Sequence, residues 1–197
     1  EYYHVFNRGV EKRNIFQDDE DYSYFTHVLQ TFNDRAPAEN VRYFYRSRTS
    51  IESRKNSKPL VEIVSYCLMP NHYHFLLKQI EDGGISKFLQ KIGTGFTHYF
   101  NKKNDRSGVL FQGKTKSSHV DKDNYLQYLK MYIELNPLNL IDADWKERGI
   151  VDRERSEGFL RSYKWKSKPK ESDYTSESFV TSDDFLEYVK SIEVRLR

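Results

Sequence analysis

The stretch SYCLMPNHYHFLLK, residues 65–78, holds two apolar, β-prone runs broken by Pro70-Asn71. A Pro-Asn pair between such runs is turn chemistry. It predicts one strand over LVEIVSYCLM, residues 60–69, and a second over YHFLLKQ, residues 73–79. Successive side chains of a strand point to opposite faces, so His72 and His74 point one way and Tyr73 the other. Two imidazoles about 7 Å apart at their Cα atoms can converge on one ion, and imidazole is the commonest side chain that binds transition-type metals. The plainer reading is a half-buried strand whose histidines are hydrogen-bonded. Two ligands do not make a metal site, so a third is needed to choose between them.

Outward from this stretch, YYHVFNRG at the start reads as a strand ending in a turn at Gly9. DDEDYSYFTHVLQTF reads as a helix, with acidic residues in its first turn and Tyr22, Phe25, Val28 and Leu29 on one face. ISKFLQKIGTGFTHYFNKK is a second amphipathic helix, whose Gly93 and Gly95 mark close packing. DRSGVLFQGKTKSSHV reads as a turn, a short hairpin and a strand, and DKDNYLQYLKMYIELN as a helix stopped by Pro137. Near the end, TSDDFLEYVKSIEV carries a capping box at Thr181 and Asp184 and a stripe of Phe185, Val189 and Ile192. The order to Asn136 is β-α-β-β-α-β-α. It predicts an α+β fold, a ferredoxin-like or RRM-like antiparallel sheet with helices packed on one face and a C-terminal helical tail. Residues 1–142 form the expected domain, with a basic insertion at about 34–60, and residues 143–197 an extension packed on or near it.

The 197 residues fit one domain of ordinary size, and 15% aromatic content is too high for a disordered chain. With 32 basic against 29 acidic residues the net charge is only +3, so total charge does not announce a nucleic-acid binder. The single cysteine, Cys67, cannot form an internal disulfide or a Cys-rich zinc site, and its apolar setting predicts a buried, inert thiol. No apolar run approaches a membrane span and no signal-peptide pattern opens the chain, which predicts a cytosolic protein with no membrane partner.

The third ligand is sought on the late helix. Tyr125, Tyr128, Tyr132 and Asn136 follow a 3-4-4 spacing and share a face. Three tyrosines on one face are commonly core packing. Asn136 stands apart: it is an amide at a helix C-terminus, just before Pro137, where the helix dipole favours a cation. Tyr125 lies roughly 16 Å from it along the axis, Tyr128 roughly 12 Å and Tyr132 about 6 Å. A hydroxyl and a metal ligand one turn apart can meet the same phosphate.

At these residues the chain resembles a known family. MPNHYHFLL looks like the histidine-hydrophobe-histidine (HUH) motif of single-tyrosine transposases, and YIELNP looks like their nucleophile segment. YHVFNRG and SGVLFQGKTKSSHV resemble the REP-associated tyrosine transposase branch. The resemblance covers most of residues 2–140. It implies a divalent-metal endonuclease that cuts single-stranded DNA and stays joined to it through a 5′-phosphotyrosine. Carried over by position, His72, His74 and Asn136 would hold Mg²⁺ or Mn²⁺, and Tyr132 would be the nucleophile. The branch further implies a DNA hairpin as partner and a monomer, with a dimer as the alternative. The insertion and the tail depart from the family's pattern.

Basic residues that could contact the DNA are Arg8, Lys12 and Arg13 after the first strand, and Lys87 and Lys91 one turn apart on the central helix. Arg106, Lys114 and Lys116 flank the expected hairpin, and Arg42 and Arg46 alternate with aromatics in the insertion. In RSYKWKSKPK, Trp165 could stack on a base or anchor the tail. A competing reading is an RRM-like protein that binds a hairpin in DNA or RNA without cutting it. A third possibility, a structural zinc module, lacks a fourth nitrogen or sulfur ligand at workable spacing.

Overall fold

In the computed structural model the described residues are 1–36, 58–121, 123–167, 186, 187, 189 and 190. Their elements run β1 (Tyr2–Arg8), α1 (Asp19–Phe32), β2 (Val61–Met69), β3 (His72–Gln79), α2 (Gly84–Lys103), β4 (Lys116–Val120) and α3 (Asp123–Leu135). A 3-10 turn at Asn136–Leu140, a short helix α4 (Trp145–Arg148) and α5 (Arg153–Ser162) follow. The strands form one antiparallel sheet in the order β2-β3-β1-β4, with β2 and β3 joined through Pro70-Asn71. Each helical crossover skips one strand, which is the split β-α-β topology expected from the element order. The fold is α+β.

Alternation along the strands creates two different faces. Val5, Tyr73, Phe75 and Leu77 point to one face, where α1 brings Phe25, Val28 and Leu29 and α2 brings Phe88, Ile92 and Phe96. Cys67, Met69 and Leu76 point to the other, where they meet Leu129, Tyr132 and Ile133 of α3 together with Trp145 and Leu160. The expectation of helices on one face therefore holds for α1 and α2 only. A sheet whose central strands are apolar on both sides needs a layer on each, and α3 supplies the second. A bulge between Ile63 and Ser65 sets the phase of β2. Beyond it Cys67 pairs with His74 and Met69 with His72, so the apolar row flanks the histidines.

Local chemistry explains the element ends. Asp18 caps α1 by accepting from the backbone N–H groups of Glu20 and Asp21. Asn33 stands at the other end: its Oδ1 accepts from the N–H groups of Leu60 (2.9 Å) and Val61 (3.0 Å), and its Nδ2 donates to the Val61 carbonyl (2.7 Å). The chain thus leaves α1 and enters β2 at one pinned point, which lets a long insertion be carried at a small entropic cost. Residues 37–57 of that insertion, with Arg42 and Arg46, lie outside the described residues.

Two expectations are corrected. The segment before β4 forms no hairpin of its own. Phe111 instead bridges Gly9, the N–H of Val10 donates to the Leu110 carbonyl, and that of Gln112 donates to the Arg8 carbonyl. The apolar pair Leu110-Phe111 is drawn to the buried end of β1 rather than to its own neighbours. Of the two helix glycines, Gly95 alone marks close packing: a Cβ there would lie 2.4 Å from the Phe32 ring, whereas one at Gly93 would meet nothing within 4 Å.

The tail is tied to the sheet. The N–H of Leu68 donates to the Trp165 carbonyl and that of Ser167 to the Tyr66 carbonyl, so residues 165–167 line the outer edge of β2. Trp165 stacks on Tyr22 at 4.7 Å, so it anchors the tail. Val189 is buried with the α3 layer, while Thr181, Asp184, Phe185 and Ile192 lie outside the described residues. Cys67 is fully buried, and burial pushes its thiol well above the ordinary range, in keeping with an inert role. Among the described residues no helix is long and apolar enough to cross a membrane.

Candidate active site

The second layer brings the histidine strand and the tyrosine helix together. His72 and His74 share the face turned toward α3, with ring centroids 5.1 Å apart and nearly perpendicular planes. Tyr132 stands edge-on to His74 at 5.5 Å and is 0% exposed. Tyr73 is buried on the opposite face against Phe25, Phe75 and Phe111, as alternation requires. Tyr125 is 40% exposed and Tyr128 half-buried, so of the three tyrosines on the helix face Tyr132 is the one sunk against the imidazoles.

A third histidine, His4 of β1, completes the cluster, and the sequence reading missed it. Its Nε2 lies 3.0 Å from Nδ1 of His74 with the rings stacked at 5.3 Å, and it also faces Tyr132 at 6.3 Å. The register explains this: Phe6 pairs with His74, so His4 is the next residue on the same face. A histidine in YYHVFNRG carries no signal of its own. It becomes visible only once β1 is known to pair with β3.

These contacts hold the imidazole rings in place. His72 Nδ1–H donates to Asn71 Oδ1 at 2.6 Å, which leaves the lone pair on Nε2. His74 Nδ1 and His4 Nε2 share one hydrogen bond, and in the tautomer where His74 carries that proton its lone pair stands on Nε2. Burial holds His74 well below the ordinary imidazole range, with the His72, His4 and Lys146 charges adding to the effect. A neutral imidazole with a defined lone pair is the form that binds a metal.

Asn136 opens the 3-10 turn one helical turn beyond Tyr132 and is fully buried, because Pro137 ends the α-helical hydrogen bonding there. Its Nδ2 has no hydrogen-bond partner, and its Oδ1 receives only a long contact, 3.4 Å, from Asn139 Nδ2. Leaving a buried amide so poorly satisfied costs about 1–3 kcal/mol, which is unusual in a core position. Among the described residues no group of three or more His, Cys, Asp and Glu side chains could hold a metal ion. Of the three residues that the sequence suggests as metal ligands, His72 and His74 share the face turned toward α3, and Asn136 stands at the end of that helix.

Lys146 of α4 also enters the site. Its Nζ donates to the Tyr132 hydroxyl at 3.4 Å and lies 4.9 Å from the centre of that ring. Nothing in ADWKERG signals this, since the contact depends on how the chain turns back after the 3-10 turn.

The basic residues divide by position. Arg8 pairs in register with His72 and reaches Gln112 Oε1 at 3.1–3.2 Å, and Lys116 lies opposite Phe6 with Nζ 5.8 Å from that ring, so both border the histidine face. Lys12 and Arg13 sit in the turn that packs on Pro70-Asn71, where the N–H of Ile15 donates to the Pro70 carbonyl, and Arg13 pairs with Glu11 at 3.1 Å. Arg106 donates to Asn101 and, at 3.0 Å, to the Val109 carbonyl, beside the segment bridged to β1, and Lys114 is exposed just before β4. Lys87 and Lys91 are elsewhere. They lie on α2, across the sheet from Tyr132, where Lys87 faces Glu81 at 3.9 Å and Lys91 donates to the Asp34 and Ala36 carbonyls at 2.5 Å.

The family described as "Transposase IS200 like" matches residues 2–136, from β1 to Asn136. No curated protein matches the chain. Among solved structures, the REP-associated tyrosine transposase bound to a REP hairpin is similar at 15% identity and a TM-score of 0.45, over 71% of this chain and 67% of that one. With a match across well over half its length, the chain belongs to the IS200-like transposase family.

Proposed function

We propose that this transposase is a metal-dependent single-stranded DNA endonuclease and strand transferase of the REP-associated kind, which recognises a hairpin and forms a 5′-phosphotyrosine intermediate. The observation that carries the reading is Tyr132 standing edge-on to His74 at 5.5 Å, on the helix that ends in the under-bonded amide of Asn136. His72, His74 and Asn136 would hold Mg²⁺ or Mn²⁺, which would polarise the scissile phosphate and offset the charge developing on it.

The chain's own residues divide the remaining work. Tyr132 supplies the nucleophilic oxygen, and burial of its ring against His74 and His4 fixes the direction of attack. A bond forms between the tyrosine oxygen and phosphorus, the bond to the 3′ oxygen breaks, and a 3′-hydroxyl leaves. The phosphotyrosine keeps the energy for rejoining, so strand transfer needs no ATP. His4 and Asn71 orient the two imidazoles. Arg8, Lys12, Arg13, Arg106, Lys114 and Lys116, gathered at the His72 end of the sheet, suit a phosphate backbone entering there.

The test is covalent capture of a radiolabelled hairpin oligonucleotide on a denaturing gel. A protein–DNA adduct should form with Mn²⁺, vanish in EDTA and be absent in Tyr132→Phe, which keeps the ring and should keep hairpin binding. An adduct that persists in EDTA would defeat the metal assignment. One that persists in Tyr132→Phe would defeat the nucleophile. Binding without an adduct under every condition would leave a hairpin-binding protein.

A further inference from the structure

Tyr132 is completely buried, and an ammonium lies within reach of its hydroxyl. Lys146 Nζ is 3.4 Å from the tyrosine oxygen and 4.9 Å from the ring centre, and its stem lies beside Trp145, whose ring centre is 5.9 Å from the same nitrogen. Trp145 is itself buried in the α3 layer, so it anchors α4 beside the tyrosine helix. The family match ends at residue 136, ten residues before this lysine. The cation is therefore supplied to the site by the segment that follows the matched region.

A phosphate that reaches the Tyr132 oxygen must come within contact of this ammonium. Resting on the nucleolytic reading above, we propose that Lys146 is a further catalytic residue. It is a fixed cation that stabilises negative charge on the tyrosine oxygen and on the adjoining phosphate oxygens as the phosphotyrosine bond forms and, in strand joining, as it breaks. In cleavage the tyrosine oxygen bonds to phosphorus and loses its proton to solvent. The 3′ oxygen departs with the electron pair of the broken bond and takes up a proton. In joining the reverse occurs, and the tyrosine oxygen is the group that leaves with the pair. Lys146 keeps its own protons throughout and acts by charge. A lysine is suited to this because it is a compact point charge on a flexible stem, able to follow the oxygen through the step. The cation–ring contact with Tyr132 holds the ammonium in place before DNA arrives.

The experiment compares the full chain with Lys146→Met and Lys146→Arg, using single-turnover adduct formation with a labelled hairpin oligonucleotide in Mn²⁺. Hairpin affinity is measured separately by anisotropy in EDTA. Met keeps the aliphatic packing against Trp145 and Tyr132 and removes the charge, so a purely structural lysine would be replaced without loss. The expected result is a fall in the rate of about a hundredfold for Lys146→Met, the usual loss for one transition-state donor, with hairpin affinity and melting temperature unchanged. Lys146→Arg should recover part of the rate. Should Met disturb the packing, Lys146→Gln against Lys146→Arg makes the same comparison with polar side chains on both sides. A wild-type rate in Lys146→Met, or a loss found entirely in hairpin affinity, overturns the proposal while leaving the nucleolytic reading intact. Failure of the unaltered chain to form any adduct takes both down.

Discussion

His4 shows how far a residue's meaning depends on its neighbours. In the sequence it is one histidine in an aromatic strand, yet in the fold it holds Nδ1 of His74 at 3.0 Å and faces Tyr132. If His74 binds the metal as proposed, His4 is the partner that orients its imidazole, and losing such a partner typically costs 10–100-fold in affinity. His4→Leu should therefore raise the Mn²⁺ concentration needed for half-maximal adduct formation by about tenfold or more, with Tyr132 still the modified residue. Titrating Mn²⁺ against adduct yield checks this, and an unchanged requirement would reduce His4 to packing. At the same scale, the facing of His72 and His74, the exclusion of Tyr73 and the oddity of Asn136 were readable beforehand, because each follows from strand or helix periodicity alone. His4 and Lys146 were not, because their contacts join segments 70 and 14 residues apart.

Elements were legible where local chemistry and periodicity agreed. α1 covers the stretch marked by its acidic first turn and apolar face, with Asp18 as the cap rather than the first helical residue, and the β2–β3 turn falls at Pro70-Asn71. What was lost was the choice between packing partners: α3 joins the second face, Leu110-Phe111 prefers β1, and residues 165–167 extend the edge of β2. Amphipathic patterns state that a face must be buried, not against what. The two glycines of α2 turn the same point into numbers. Gly93→Ala adds a methyl in open space and removes glycine's backbone entropy cost, so it should stabilise the protein by up to about 1 kcal/mol. Gly95→Ala drives a methyl into the Phe32 ring and should destabilise it by about 1–3 kcal/mol despite the same gain in helix propensity. Urea unfolding of the two variants gives opposite shifts in midpoint if the helices pack as described.

The whole molecule places the tyrosine helix on its own sheet. α3 follows β4 directly, packs on β2 and β3 of the same chain, and sets Tyr132 against that chain's His4 and His74. α4 then binds the following segment to the same layer, so lifting α3 away would also expose Trp145 and the apolar row of β2. Such a layer costs several large buried side chains to open, at about 1.5–3 kcal/mol each, which disfavours exchange of the helix between two copies. The chain should therefore act as a monomer with every part of the site supplied in cis. Mixing an inactive Tyr132→Phe protein with an inactive His74→Ala protein tests this directly. If helices were exchanged, a mixed dimer would contain one site with both native residues and adduct formation would return on mixing. In a cis site no mixture restores it. Absence of rescue over a range of protein concentrations, with light scattering giving the mass of one chain, is the expected outcome, and recovered adduct in the mixture would show that the helix is shared.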